Sequence, residues 1–313
     1  MDDRQNIYIP DYDHQSILSY SADGTMRGSL GRGGRGPGEF QRIAYLFMHG
    51  DRLGAYGLNL RIILFSTETF ESTESIVFDT RAASDSDEVT SPRPHRFFSF
   101  NDDEYIVSLN IQNLSGDDRN YRGYYRMNRE GKIISPKLFE TVMRASHSFS
   151  GGSYSLPFTD EGMIDVSPEG TVYKANTSDF LIQVLDDSAT GIARSIYVPY
   201  ENASLDRDRF LQGYDDFLRS RLRNADFPAT WPALNGFIVD DEERIWVSTI
   251  TENQDTYDWW VLDNQGSLLA RFQWPRSEVI LKVRDGYLYV ASGANTLGTL
   301  DLSRYKIQLN NDI

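Results

Sequence analysis

The feature that most constrains this chain is a unit that recurs along it. Each unit is a short apolar strand, a tight acidic or glycine-bearing turn, and a second strand with an aromatic or β-branched centre. It reads "YLFMHGDRLGAY" at 45–56, "FFSFNDDEYIVSL" at 97–109, "MIDVSPEGTVYKA" at 163–175, "FIVDDEERIWVST" at 237–249 and "LKVRDGYLYVAS" at 281–292. Turn residues set between alternating apolar segments are what a β-hairpin requires. A second series follows a dozen or more residues further on in each unit: "ILSYSADGTMRGSL", "IILFSTETFEST", "YYRMNREGKIIS", "LIQVLDDSATGIARSI", "WWVLDNQGSLLARF" and "GTLDLSRYKIQL". Interleaved, the two series describe four strands in roughly 50 residues, the scale of a propeller blade.

Six such units fit the 313 residues. The expected fold is all-β: one domain over 1–313, a six-bladed β-propeller of four-stranded antiparallel blades. The blades are expected near 1–30, 43–79, 95–141, 160–199, 234–274 and 278–310. "MDDRQNIYIPD" aligns with "VDDEERIWVST" from the turn onward, so the innermost strand of blade one is expected upstream of Met1. The closing unit is expected to complete its own outer strand at "YKIQL". An open ring exposes unpaired strand edges, which native sheets avoid, so upstream sequence is expected, with an export signal in it.

One segment departs from the strand pattern. In "SLDRDRFLQGYDDFLRSRLRNADFP", apolar residues fall at Phe210, Leu211, Tyr214, Phe217, Leu218 and Leu222, a spacing that puts them on one helical face. Ser204 or Asp206 serves as the cap and Pro228 stands beyond the end. A helical insertion is therefore expected over about 204–226, between blades four and five. It either covers the apolar rim between the two blades or forms a lid or partner-docking helix carrying Arg219, Arg221 and Arg223.

"GRGGRGPGEF" at 31–40 has the spacing of a dinucleotide fingerprint at Gly31, Gly33 and Gly36. That motif needs a following helix within a βαβ unit, and a P-loop needs a Lys-Ser/Thr pair. Here Glu39-Phe40 and the strand "RIAYLFMH" follow. The glycines are expected instead to supply positive φ where the chain passes from blade one to blade two, with Pro37 stiffening the crossing and Glu39 bonding the loop amides.

With this linker and "IYIPDYDHQSILSYSADG", "FPATWPALNGFIVDDEERIWVS" and "WWVLDNQGSLLARFQWP", the chain resembles the bacterial six-bladed β-propeller proteins related to NHL repeats. The resemblance spans nearly the whole chain. It implies a propeller and a place in the periplasm or outside the cell; it implies no particular reaction. Blade two departs from the pattern, with Gly57 where blade one has Asp11.

Acidic residues outnumber basic ones, 46 to 31, for a net charge of −15. That field repels a phosphate backbone and argues against nucleic acid. With no cysteine there is no disulfide, thiolate metal site or thiol nucleophile. No apolar run approaches the length of a membrane span.

By strand register, one face of the ring receives Asp11, Asp13, His14, Asn59, Asn110, Asn113, Asn176, Glu252, Asn253 and Asn295. Asp11, Asn59, Asn176, Asn253 and Asn295 would make an oxygen ring for calcium, or would simply favour tight turns. His14, His95 and His147 would make an open zinc site if they converged. His49 falls in a turn on the opposite face and is expected to be solvated. Arg35, Arg96 and Trp231 approach the channel mouth and suit an anionic or sugar-like ligand; His95, Asn110 and Arg219 complete that set. The function expected is non-catalytic: a monomeric propeller recognising a protein or small ligand at its loop-rich face. A metal-dependent hydrolase or lyase of the propeller type, or an accessory subunit of an envelope complex, stands as the alternative.

Overall fold

In the computed structural model the described residues are 1–84, 88–112, 119–293 and 301–309. The chain divides into two compact units, Met1–Glu140 and Thr141–Ile313. The fold is a six-bladed β-propeller, with three blades in each unit.

In the first unit, blade one is the antiparallel sheet β1 (Ile7–Asp11), β2 (Ser16–Tyr20) and β3 (Met26–Leu30). The glycine-rich linker follows, its short strands β4 (Arg32–Gly33) and β5 (Glu39–Phe40) pairing in parallel. Blade two is β6 (Ile43–His49), β7 (Arg52–Gly57), β8 (Arg61–Ser66) and β9 (Ser72–Val77). A short helix α1 (Thr80–Ser84) leads to blade three, made of β10 (Val89–Ser99), β11 (Glu104–Ile111), β12 (Tyr121–Asn128) and β13 (Phe139–Val142). Strand β10 begins earlier than the sequence suggested, because it tolerates an irregular stretch between Ser91 and Arg96 in its pairing with β11.

In the second unit, a hairpin of β14 (Ser146–Phe149) and β15 (Gly152–Ser155) precedes blade four. Blade four is β16 (Gly162–Val166), β17 (Val172–Asn176), β18 (Leu181–Leu185) and β19 (Ile192–Tyr197). The helical insertion comes next, as α2 (Arg207–Gln212) and α3 (Asp216–Leu222). Blade five is β20 (Leu234–Val239), β21 (Ile245–Ile250), β22 (Thr256–Leu262) and β23 (Leu268–Pro275). Blade six is β24 (Glu278–Arg284), β25 (Tyr287–Ser292) and β26 (Asp301–Lys306). The sequence suggested a strand–turn–strand closing at "YKIQL"; instead 301–306 is a single strand against β25, and the blade has three strands among the described residues.

In blades two, three, five and six the second strand is the most buried, since it is flanked within its sheet and covered on both faces. In β21 every residue from Ile245 to Ile250 is buried, and in β11 five consecutive residues are. The core of blades two and three gathers Tyr56, Ile62, Phe97, Tyr105 and Val107. That of blades four and five gathers Tyr173, Phe180, Ile182, Ile245 and Val247.

A repeated turn explains why the sequence repeat is visible at all. Asp240 is fully buried, and its Oδ1 accepts from the Glu242 and Arg244 amides, each at 2.9 Å. Its Oδ2 accepts from Arg244 Nε at 2.7 Å and from Trp246 Nε1 at 2.8 Å. Asp2 repeats this: Oδ1 takes the Arg4 and Asn6 amides at 3.0 and 2.8 Å, and Oδ2 takes Asn6 Nδ2 at 2.8 Å and the Tyr8 hydroxyl at 2.7 Å. Gln5 and Glu243, at matching places, share a left-handed φ of 60° and 55°. Strand β1 is thus the counterpart of β21, the second strand of its blade, and lies at the edge of a three-stranded sheet.

The linker behaves as a turn and not as a phosphate cradle. Gly31 and Gly38 have φ of +65° and +70°. The Glu39 carboxylate accepts the Arg35 and Gly36 amides at 2.9 and 2.7 Å and pairs with Arg32. Those donors, the Gly36 amide first and then Arg32, hold its pKa below the usual glutamate range. The loop's own carboxylate therefore fills the ring of amides that a phosphate would need.

Candidate functional site

The helical insertion is two helices, not one, and the break has a local cause. Asp206 caps α2 by accepting from the Arg209 amide, α2 stops at Gly213, and Asp215 caps α3 by accepting from the Leu218 amide at 2.8 Å. Arg219 fastens the pair. Its Nε donates to the Leu211 carbonyl at 3.1 Å, Nη2 to the Tyr214 carbonyl at 2.7 Å, and Nη1 meets Asp216 at 3.0 Å. The apolar side of the pair packs Leu211 and Leu222 with Leu156, Phe158, Leu205 and Ala225, flanked by Phe210, Phe227 and Trp231.

A pocket of about 350 Å³ adjoins this cluster, lined by Phe158, Thr159, Asp160, Ser178, Asn202, Asp226, Pro228, Thr230, Trp231 and Pro232. Its rim is pinned on both sides. The Trp231 amide donates to the Ala203 carbonyl at 2.8 Å, the Leu205 amide donates to the Ala229 carbonyl at 2.9 Å, and Ser204 bridges Thr230. Glu252 clamps Ser204 from outside, accepting its amide at 2.8 Å and its hydroxyl at 3.0 Å. The Ser204 amide, with the hydroxyl second, lowers the Glu252 pKa. Pro228 and Pro232 stiffen the segment that carries the indole.

Within the pocket, Asn176 Nδ2 donates to Asp160 Oδ2 at 3.3 Å, and Asn202 Nδ2 to the Ser178 carbonyl at 3.2 Å. The Trp231 ring meets Phe210 edge-on at 5.8 Å, while Phe158 is stacked on Phe227 at 4.5 Å. Among the described residues no arginine, lysine or histidine lines the pocket. The first unit has a wider cleft of about 640 Å³ lined by Tyr12, Gln15, Gln41, Arg42, Ile43, Ala44 and Leu58, but it holds no carboxylate and fewer convergent polar groups.

Of the residues singled out in the sequence, Trp231 lines the pocket and Asn176 reaches it through Asp160. Arg219 does not line it; its guanidinium is taken up by the helix pair. Arg35 and Arg96 lie in the first unit, exposed, their backbone amides bound to Glu39 and to the Ser108 hydroxyl. His95 lies 3.2 Å from an Arg122 nitrogen, and desolvation followed by Arg122 and Arg96 pushes its pKa down to about 4. It is a neutral ring beside cations. Asn110 keeps a buried Oδ1 with no hydrogen-bond partner among the described residues, while its carbonyl accepts from Thr90.

The members of the expected oxygen ring serve their own turns. Asp11 accepts the Asp13 and His14 amides at 3.1 Å each and the His14 ring at 2.8 Å. Asn253 Oδ1 accepts the Asp255 amide at 2.9 Å, and Asn176 Oδ1 the Ser178 amide at 3.1 Å. Asn59 sits in the β7–β8 turn against Gly57. Asn295 and Asn113 lie outside the described residues. Among the described residues no three His, Asp or Glu gather as a metal-ligand group; His14 and His95 lie in the first unit and His147 in the second.

His49 corrects the expectation of a solvated turn residue. It is 2% exposed, its ring nitrogens meet Ser99 Oγ at 2.9 Å and the Asp102 carbonyl at 3.1 Å, and it stacks on Tyr105 at 4.4 Å. The pocket residues missed in the sequence are Asp160, Ser178, Asn202, Asp226 and Thr230. Their one visible sign is the pair of prolines on either side of Trp231 in "FPATWP".

No family model matches the chain, and no curated protein matches it. Among solved structures it is similar to a Bacteroides fragilis protein described as "Putative exported protein", at 15% identity and a TM-score of 0.54, over 94% of this chain and 78% of that one. A β-propeller domain of Myceliophteria thermophila Cps50 (Swd1) is similar over 98% of this chain and 96% of that one, at 12% identity and a TM-score of 0.43. Among the described residues no helix is long and apolar enough to cross a membrane. The likeness to the Bacteroides fragilis structure agrees with the blades described above, and it extends to the fold alone.

Proposed function

We propose that this propeller is a recognition protein that holds a small ligand, without transforming it, in the pocket beside the helical insertion. The observation that carries the reading is the pinned rim. A tryptophan, two prolines and a bridged pair of segments form a pre-shaped wall around several converging polar groups, the usual make-up of a small-ligand site. Preorganisation of this kind lowers the entropy lost on binding. A location outside the cytoplasm, which the resemblance to exported propellers implies, belongs to the same proposal.

The test is a thermal-shift screen of small polar molecules against the purified chain and against Asn202→Ala and Asp226→Ala. A ligand at 100 times its Kd adds about 2.7 kcal/mol of stability, so a hit raises Tm by a few degrees. The rise should disappear in both variants. Hits that stabilise the variants as fully as the parent chain would place the site elsewhere.

A further inference from the structure

Resting on that reading, we infer that the pocket takes a neutral saccharide, with one pyranose face laid on Trp231. The donor–acceptor balance of the lining sets the class. Asp226 is exposed, and its carboxylate with the carbonyl oxygen of Asn202 leads the acceptors of the wall, while the half-buried Asp160 already takes Asn176 Nδ2. Asn202 already gives an N–H to Ser178, and Thr159 gives its hydroxyl to the Leu156 carbonyl at 2.9 Å, which removes donors from the cavity. The Thr230 hydroxyl, the indole N–H and the second N–H of Asn202 are what the side chains of the wall have to donate. A complementary ligand is therefore rich in donors, and a ring of vicinal hydroxyls facing carboxylates and a carboxamide satisfies this.

Charge excludes the other families of polar ligand. Two carboxylates with no cation in the lining, in a chain of net charge −15, repel a phosphate or a carboxylate. An onium ion needs several aromatic faces to replace its water. Here Phe158 is 2% exposed, its ring stacked on Phe227, which leaves the indole as the accessible aromatic side chain among the described residues of the lining. A single flat apolar surface beside a polar edge matches the two sides of a pyranose. The volume of about 350 Å³ lies at the lower end of small-ligand pockets, which suits one or two sugar rings.

The experiment is saturation-transfer NMR on the intact chain with a panel of neutral methyl glycosides and disaccharides. Tetramethylammonium and inorganic phosphate serve as the cation and anion probes, followed by titration of whatever binds. The expected result is saturation of sugar ring protons and weakening of at least 10-fold in Trp231→Ala. Asp226→Asn should weaken binding several-fold, and because Asp226 is exposed this change leaves the fold intact even if Trp231→Ala does not. No response to phosphate is expected. Tetramethylammonium binding that is lost in the same variants, without sugar binding, overturns the saccharide assignment and keeps the pocket. Sugar binding unchanged in Asp226→Asn and Trp231→Ala overturns both, as does a panel to which the pocket is silent while thermal-shift hits map elsewhere.

Discussion

Replacing Asp240 by alanine tests the turn on which the blade repeat depends. The carboxylate has no exposure and receives four hydrogen bonds, two from amides of its own turn and two from the side chains of Arg244 and Trp246. Truncation leaves the indole N–H buried without an acceptor, a cost of about 1–3 kcal/mol. It also strands the Arg244 guanidinium, 14% exposed, whose other carboxylate, Glu242, is 59% exposed and compensates little. Breaking a buried pair from one side costs about 3–5 kcal/mol, and that is the total expected, since the terms overlap. Asp2→Ala removes the same geometry from blade one, but Asn6 and Tyr8 are neutral, so its loss should be about 1–3 kcal/mol. Urea unfolding followed by far-UV circular dichroism measures both, with midpoints dropping at unchanged slope. An Asp240→Ala loss below about 1 kcal/mol, or one no larger than that of Asp2→Ala, would refute the claim that the stranded cation dominates.

Two further outcomes follow from particular groups. Burial foremost, then the Arg52 charge, holds the His49 pKa below its ordinary 6.5. The unfolded chain therefore binds the proton first, and the stability tied to the neutral ring is present above about pH 6.5 and is lost as pH falls below it, by at most about 1.4 kcal/mol per pH unit. Melting curves at pH 7.5 and 5.5 should show a smaller acid loss for His49→Gln than for the parent chain, and an equal loss would exclude His49 as the source. Gly31→Ala should destabilise more than Gly24→Ala. Both have left-handed φ, +65° and +85°, at about 1–2 kcal/mol for a Cβ. The new Cβ at 31 would also stand 2.4 Å from the buried Phe40 ring, whereas at 24 nothing lies within 4 Å. Equal losses by urea titration would show that Phe40 yields freely.

Much of the fold is legible because its turns carry side chains that act locally. The Asp2 and Asp240 motifs repeat with the same offsets to the amide and to the aromatic two positions into the next strand, so an eye for spacing finds the blades. Even the departure at Gly57 has a packing reason: a Cβ there would lie 2.7 Å from the side-chain oxygen Asn59 Oδ1 and 3.3 Å from the Arg42 carbonyl. The misreadings arise where a local pattern is answered by a distant partner. Helical spacing from Phe210 to Leu222 does not show that Asp215 starts a new helix, although Gly213 two residues earlier was a sign of it. Nor does a turn position show that His49 reaches Ser99, 50 residues away, and becomes core.

The candidate site was harder to read for a related reason. Register assigns a residue to one face of a sheet, but whether its polar atoms reach the ligand space depends on what they bond first. Asp11, Asn176 and Asn253 all turn an oxygen back to an amide two or three residues on, as Asp and Asn do in any tight turn, so each such oxygen is first engaged by its own turn. The pocket instead collects residues 158–160, 178, 202 and the segment 226–232, beside the helical insertion and its buried aromatic cluster. Recognition would then be a property that the insertion adds to a blade scaffold whose own turns are already satisfied.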